Sequence, residues 1–442
     1  MVKLLSSAAI AAMVVAVGSS AMAQNAQVIQ SESYFYRART TAVADRTPPE
    51  FEPVGAKWGG FTAITGVDLG TEFNDNVYYV QPDPTATPPI VKKSDESFVV
   101  RPNIDIKSNW SRHALEFGAS AGFTDYSKYT SENHPDWTVA GAGRYDLVGL
   151  SYLFANASVV RNVDSRGDSV ALITINNNGV QTTIPTSEIA KPIRYTESVA
   201  TVGITSEINR LRFTASEVAS KYDYDDAYGF DGTDYSMLYR NRTEYLGRLR
   251  GDYAVSPDTS VYISAQSRNV DYVINTKNSH GYSATIGTSF DITNLVRGEI
   301  ELGHLESKYV NGDKASGPSY KALVNWFPTE MTTLTFNAGE VLNESAAANA
   351  DGYFNKTIGF SVDHELLRNI ILSAGYGHVN NAYTGINRTD NRDNFSAGVK
   401  YKIGHGAAIL ASYAYVNNKS VGADAGNSYV DNSVKLGLSL AY

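Results

Sequence analysis

The run Leu115-Glu116-Phe117-Gly118-Ala119-Ser120-Ala121-Gly122-Phe123 separates into two rows: Leu115, Phe117, Ala119, Ala121 and Phe123 are apolar, while Glu116, Gly118, Ser120 and Gly122 are polar or small. Successive side chains of a β-strand point to opposite faces, so a period of two sends one row into an apolar medium and the other toward water. The same division recurs in Phe395, Ala397, Val399, Tyr401 and Ile403 against Ser396, Gly398, Lys400 and Lys402. It runs less sharply through Val100 to Lys107, Trp137 to Leu147, Tyr282 to Phe290 and Ile358 to Asp363. A soluble sandwich with its apolar row in a core gives the same alternation, and two further features separate the readings.

The first is the spacing of the breaks. Short connections centre on Trp110, Gly149, Asn209, Pro257, Asn294, Pro328, Arg368 and His405. Between them lie longer polar stretches at about 75–94, 127–135, 165–192, 225–237, 273–279, 311–318, 344–351, 381–391 and 419–429. Short turns alternating with long loops mark barrels of the outer membrane. Eight turns and nine loops join eighteen strands, so residues 56–442 read as an all-β, antiparallel up-and-down transmembrane barrel of about 18 strands. The even count places both termini on the periplasmic side.

The second feature is the last strand, where Val434, Leu436, Leu438, Leu440 and Tyr442 alternate with Lys435, Gly437, Ser439 and Ala441. It resembles the aromatic-ended strand that the barrel-assembly machinery recognises, through Gly437, Leu440 and Tyr442, with Tyr where Phe is commonest. That machinery and outer-membrane lipid are the partners such an ending implies.

Composition agrees with one large β architecture: 29 Tyr, 16 Phe and 36 Gly among 442 residues, with 43% hydrophobic residues dispersed singly. There is no cysteine, hence no disulfide and no thiolate metal site, and the formal charge of -9 gives no basic stripe for nucleic acid. Lys3, the apolar run Ala8 to Val17 and Ala21-Met22-Ala23 read as a signal peptide over 1–23, with Gln24 as the first mature residue. That apolar run is too short for a membrane anchor, and nothing after residue 24 approaches the roughly 20 apolar residues of a spanning helix. Residues 24–55 read as a loosely ordered periplasmic lead-in marked by Pro48 and Pro49, with folding back into the lumen as the alternative. Eighteen strands enclose more room than their side chains fill, and no plug domain is visible to occupy it.

Two groups of segments carry a family resemblance. One is Thr47-Pro48-Pro49-Glu50-Phe51-Glu52-Pro53-Val54-Gly55, followed by Trp58 to Phe61 and by Glu72-Phe73-Asn74-Asp75-Asn76-Val77-Tyr78. The other is Arg101-Pro102 with Ser108-Asn109-Trp110-Ser111-Arg112-His113-Ala114-Leu115. They resemble the family of putative beta-barrel porins (type 2) found in exopolysaccharide-producing proteobacteria. The detailed match covers roughly the first hundred mature residues, and the rest agrees in length and hairpin rhythm. The resemblance implies a fold without a demonstrated chemistry. Because members often accompany capsule, holdfast or exopolysaccharide machinery, it also implies polysaccharide passage, with periplasmic export proteins as partners.

Alternation assigns Arg101, Asp105, Lys107, Glu116, Arg144, Asp146, Arg248, Arg250, Asp252, Arg297, Glu299, Glu301, Asp363, Lys400 and Lys402 to the lumen. Charges there either set selectivity or pair with one another and keep the interior wet, and for any single residue pairing is the simpler account. Trp58, Tyr78, Trp137, Tyr145, Tyr253, Trp326 and Tyr442 fit the aromatic girdles, whereas Tyr152, Phe154 and Tyr262 fit the lumen. Asp223, Asp225, Asp226, Asp231 and Asp234 crowd one loop, without the ligand spacing of a calcium site, and read as a solvated surface. The seven histidines are scattered, no HExxH or Gly-x-Ser-x-Gly motif occurs, and neither an enzyme, a metal site nor a cofactor is expected. The expected function is passive exopolysaccharide export through a hydrated lumen, with loop 165–192 restricting the mouth. The alternatives are a general or solute-selective porin and a structural or adhesive surface barrel.

Overall fold

A computed structural model describes residues 41–167, 172–177, 180–185, 189–230, 232–274, 277–347 and 349–442. The segment read as a signal peptide lies outside them. Among the described residues eighteen antiparallel strands form the barrel wall, and a short strand, Ala56–Trp58, folds back onto the first of them. In chain order the eighteen begin with β1 (Phe61–Asn74), β2 (Asp95–Ser108), β3 (Ala114–Tyr126), β4 (His134–Asp146), β5 (Tyr152–Val163) and β6 (Arg194–Ile208). Next come β7 (Leu211–Tyr224), β8 (Arg242–Ser256), β9 (Thr259–Tyr272), β10 (Ser279–Ile292), β11 (Val296–Tyr309) and β12 (Lys314–Thr329). The last six are β13 (Thr332–Glu344), β14 (Gly352–Leu367), β15 (Ile370–Tyr383), β16 (Thr389–Gly404), β17 (Ala407–Val421) and β18 (Tyr429–Ala441).

Each strand pairs with its neighbours in sequence, and β18 returns to β1 from Gly66↔Ala441 to Asn74↔Ser433, which closes the barrel. Closure pairs the strand edges around the wall, which in hydrocarbon spares each backbone group the several kcal/mol it would cost unpaired. The terminal residue joins in, the Tyr442 amide donating to the Thr65 carbonyl at 2.9 Å. Sixteen of the seventeen connections fall at the breaks in alternation. The turn placed at Pro328 lies two residues later, at Glu330-Met331, and the loops at 311–318 and 381–391 shorten to 310–313 and 384–388 because the strands run further. Short turns gather at one end, together with the start of β1 and the end of β18, and long loops gather at the other. The tight turns use left-handed backbone where it is cheapest, as at Asn209 (φ 55°) and Gly149 (φ 70°). Between β2 and β3 the ladder omits Arg101 and Pro102 without changing register, as a proline without an N–H requires.

The two rows separate as their chemistry demands. Leu115, Phe117, Phe123, Phe395, Val399, Tyr401, Ile403, Val434, Leu436 and Leu440 stand exposed on the outer surface. Trp58, Trp137, Tyr145, Tyr253, Trp326 and Tyr442 are exposed as well, on strands or beside their ends, as a girdle requires. Tyr78 departs from that reading. It is buried, edge-on to Tyr129 at 5.4 Å and faced by Lys93 and Arg166, because its loop folds inward over the barrel mouth.

A candidate channel lumen

The inner face is recognised by contacts that skip strands, since only the concave side brings such side chains together. On β8, Arg250 grips Asp252, with Nε at 3.0 and 3.1 Å and Nη2 at 2.7 Å from its carboxylate oxygens. Its Nη1 reaches Glu299 on β11, three strands away, at 3.3 Å. The guanidinium lies 3.5 Å from the ring centre of Tyr262 on β9, whose hydroxyl donates to Glu301 Oε2 at 2.9 Å. Tyr262 fits there because Gly287 on β10 offers no side chain beneath the ring. Nearer the long loops, Glu244 accepts from Arg242 at 2.8 Å and from Arg268 at 2.7 Å. Arg268 also donates to Glu344 at 2.9 Å, and Tyr272 donates to the other oxygen of Glu344 at 3.0 Å. The Arg250, Asp252 and Glu299 charges hold one another in fixed places, so this part of the wall presents a rigid electrostatic pattern rather than mobile side chains.

Arginines also cover several of the inward aromatics. Arg144 lies 4.1 Å from the ring centre of Tyr152, Arg242 4.0 Å from that of Tyr222, and Arg297 5.3 Å from that of Phe327. Tyr152, Phe154 and Tyr262 are inward and buried, and the faces of Tyr152 and Tyr262 are occupied by cations.

At the long-loop end the segment after β5 crosses the mouth. Arg166 pairs with Glu132 through bonds of 2.7 and 2.8 Å, and the Gly167 carbonyl accepts from Arg392 on β16 at 3.0 Å and from Tyr429 on β18 at 2.6 Å. Residues of the 165–192 loop thus reach across the opening. Its later part shares a small core, Ile189, Ile193, Ala227, Tyr235 and Met237, with the loop between β7 and β8. Deleting residues 165–192 should therefore raise single-channel conductance in planar bilayers, and an unchanged value would show that these contacts do not limit flow.

Lys277, in the loop between β9 and β10, donates to the carbonyls of Ser345 and Ala347 at 3.1 and 2.9 Å. Burial pushes its amine down to about 8, opposed by Glu344 and Asp351 and helped by Arg240. A free lysine titrates near about 10.4, so between the two values docking releases a proton and rising pH favours the docked loop. Subtilisin cleavage within residues 345–351, corrected for the enzyme's own pH profile, should slow from pH 7 to 9.5, and Lys277→Met should remove the trend.

At the short-turn end the segment read as a loosely ordered lead-in is instead docked, over its described residues 41–55. Val43 is buried and its amide donates to Thr333 on β13 at 3.0 Å. Arg46 pairs with Glu365 on β14 at 3.4 Å, and its carbonyl accepts from Lys402 on β16 at 3.0 Å. The Phe51 carbonyl accepts the Gly406 amide at 3.1 Å. Two 3-10 turns, Val43–Asp45 and Pro49–Phe51, shape the segment, and its polar groups find partners on inward rows of β13, β14 and β16.

The remaining lumen assignments occupy inward rows, several with partners of their own. Arg101 binds Asp136 at 2.9 Å, Arg144 binds Asp146 at 2.6 Å, Arg248 lies 3.9 Å from Glu301, and Asp363 accepts from Ser373 at 2.5 Å. Lys107 and Glu116 face each other across the β2–β3 ladder, Asp105 lies beside Gly118, and Lys400 lies on the row of Lys402. Arg242, Glu244 and Arg268 were missed, although Arg242 and Glu244 continue the even-numbered row of Arg248, Arg250 and Asp252. Glu344 carried no such signal, since alternation along β13 points it outward with Leu334 and Phe336. In the aspartate loop, Asp225 pairs with Arg161, Asp226 accepts the Met237 amide and Asp223 pairs with Lys221, while Asp231 lies outside the described residues. Among the described residues no group of three or more His, Asp or Glu is placed to hold a metal ion. Gly437 and Leu440 lie in the closing strand, with Leu440 and Tyr442 exposed at its outer edge.

A family model described as Putative beta-barrel porin 2 matches residues 48–442. Among solved structures, the BenF-like porin from Pseudomonas fluorescens Pf-5 is similar at 13% identity over 86% of this chain and 99% of that one, with a TM-score of 0.45. The outer membrane protein opdK from Pseudomonas aeruginosa is similar at 11% identity over 86% and 99%, with a TM-score of 0.43. The siderophore receptor PiuA from Acinetobacter baumannii is similar at 10% identity over 88% and 82%, with a TM-score of 0.46. No curated protein matches the sequence.

Proposed function

The chain belongs to the family described as Putative beta-barrel porin 2, and on that premise we propose that this outer-membrane β-barrel is a passive, charge-selective channel for hydrophilic solutes. The observation that carries this reading is the inner wall of paired ions around Arg250 and between Arg268 and Glu244. Fixed charges discriminate among solutes by sign without covalent chemistry, and no catalytic role is assigned to any residue. The short-turn end with both termini is assigned to the periplasm and the long-loop end to the exterior, with residues 1–23 as the export signal. In this orientation residues 41–55 narrow the periplasmic mouth and the loop after β5 narrows the external one. Arg-covered aromatics favour small solutes, since a sugar polymer that slides by stacking needs bare ring faces.

Exopolysaccharide export, with periplasmic export proteins as partners, is the second reading, favoured by the breadth of an eighteen-strand wall and by what the family resemblance implies. Planar-bilayer recording of the purified mature protein tests the first reading: ion-selective steps are expected, and a silent bilayer would remove it. A deletion strain that loses secreted polymer while the pore ignores added polysaccharide fragments would favour an indirect, structural role.

A further inference from the structure

The wall is irregular at one seam. β12 and β13 pair from Thr329↔Thr332 only as far as Lys321↔Gly339. Beyond that point β12 stays on β11 as far as Lys308↔Lys314, and β13 stays on β14 as far as Glu344↔Gly352. The described residues of the hairpin, 340–347 and 349–356, have therefore left β12 together and lean into the lumen. Alternation points Glu340 and Glu344 outward with Leu334, Phe336 and Ala338, yet both are found against the inner wall. A Cβ on Gly317, which lies on the inward row of β12, would stand 3.1 Å from the Phe354 ring and 3.7 Å from Glu340 Oε1. Glu344 reaches β9, four strands away, where Arg268 and Tyr272 hold it at 2.9 and 3.0 Å. Lys277 ties the tip through the carbonyls of Ser345 and Ala347.

This arrangement has a definite alternative. If the ladder continued in register, Tyr320 would face Glu340, Ser319 would face Val341 and Ser316 would face Glu344. Both glutamates would then point outward, Glu344 beside Ser316 and Lys314, and Glu340 between Tyr320 and its present ladder partner Lys356. In that upright position the hairpin would gain the ladder bonds to β12 that it now lacks and give up the Glu344 contacts, which is the trade a switch needs. Upright, the hairpin leaves behind Arg268, still held by Glu244, with the Tyr272 hydroxyl beside it. Together they present the two donors that now bind a carboxylate.

We propose that residues 340–356 form a hinged gate over the external half of the lumen, and that a carboxylate-bearing solute opens it by taking the place of Glu344 on Arg268 and Tyr272. The solute half of this proposal rests on the channel reading above; the two-position half does not. By linkage, a ligand that binds only the upright state shifts the hairpin by its differential affinity alone, and an uncharged analogue shifts nothing.

The chain has no cysteine, so the pair Ser319→Cys/Val341→Cys is a clean reporter, adjacent only when the hairpin stands upright. Leu323→Cys/Asn337→Cys, already paired, is the control for folding and for disulfide geometry. In the purified, detergent-folded barrel, oxidation should crosslink the control at once and the 319/341 pair slowly. Adding Glu344→Gln should speed the 319/341 crosslink several-fold, and so should galacturonate, while galactose should not. If the 319/341 pair stays uncrosslinked with Glu344→Gln, although both cysteines react with maleimide, the gate is overturned. Equal rates with galacturonate and galactose overturn the carboxylate site. Crosslinking that behaves as expected in a barrel that passes no current would instead overturn the channel reading and leave the hinge standing.

Discussion

Gly303→Ala is expected to abolish recovery of the folded, heat-modifiable barrel. Gly303 lies on the inward row of β11 opposite Thr285, and a Cβ there would overlap the Ala284 carbonyl oxygen and crowd Thr285 Cα at 2.7 Å. Inward side chains converge where the wall turns sharply, as it does around Tyr262, Glu301 and Arg250. Overpacking an interior costs about 1–3 kcal/mol when side chains can yield. Here the obstructing atoms are backbone of the adjacent strand, so the ladder between β10 and β11 must give way. Gly404→Ala is the matched control, since a Cβ there meets nothing within 4 Å. Semi-native electrophoresis after refolding into detergent reads the result. A Gly303→Ala protein that folds as well as Gly404→Ala would mean that the wall is less tightly curved than described.

Arg250→Met should both weaken the barrel and shift its selectivity toward cations. The Arg250, Asp252 and Glu299 side chains keep only 6%, 0% and 3% of their exposure, so removing the cation leaves two buried carboxylates facing each other. Breaking a buried pair from one side costs about 3–5 kcal/mol, and the lower figure applies beside a wet lumen, where the carboxylates can recover some water or protonate. Arg250→Lys should recover little, because one ammonium cannot hold Asp252 through Nε and Nη2, reach Glu299 and cover the Tyr262 ring together. Urea unfolding followed by tryptophan fluorescence gives the stability change, and the reversal potential in a KCl gradient gives the selectivity. If both stay at the wild-type value, the fixed-charge account of the lumen fails.

The strand count, the order of turns and loops and the inward rows were legible in the sequence because each is a local property. A strand shows its two faces every second residue, as Leu115 to Phe123 does, and Asn209 or Gly149 marks a turn through its own backbone preference. The same logic found Arg250, Asp252, Glu299 and Glu301 without any knowledge of what they touch. It did not reveal that Arg250 on β8 binds Glu299 on β11, since curvature, not spacing, sets which strands meet across a concave wall. Nor did it reveal that Thr41 to Gly55 lies against β13, β14 and β16, because a short polar segment has no period and its docking depends on partners about 290 to 360 residues away. Glu344 marks the boundary between the two kinds of knowledge. Alternation points it outward, and only the departure of its hairpin from β12 turns it to Arg268, an event decided by the balance of distant contacts rather than by any residue beside it.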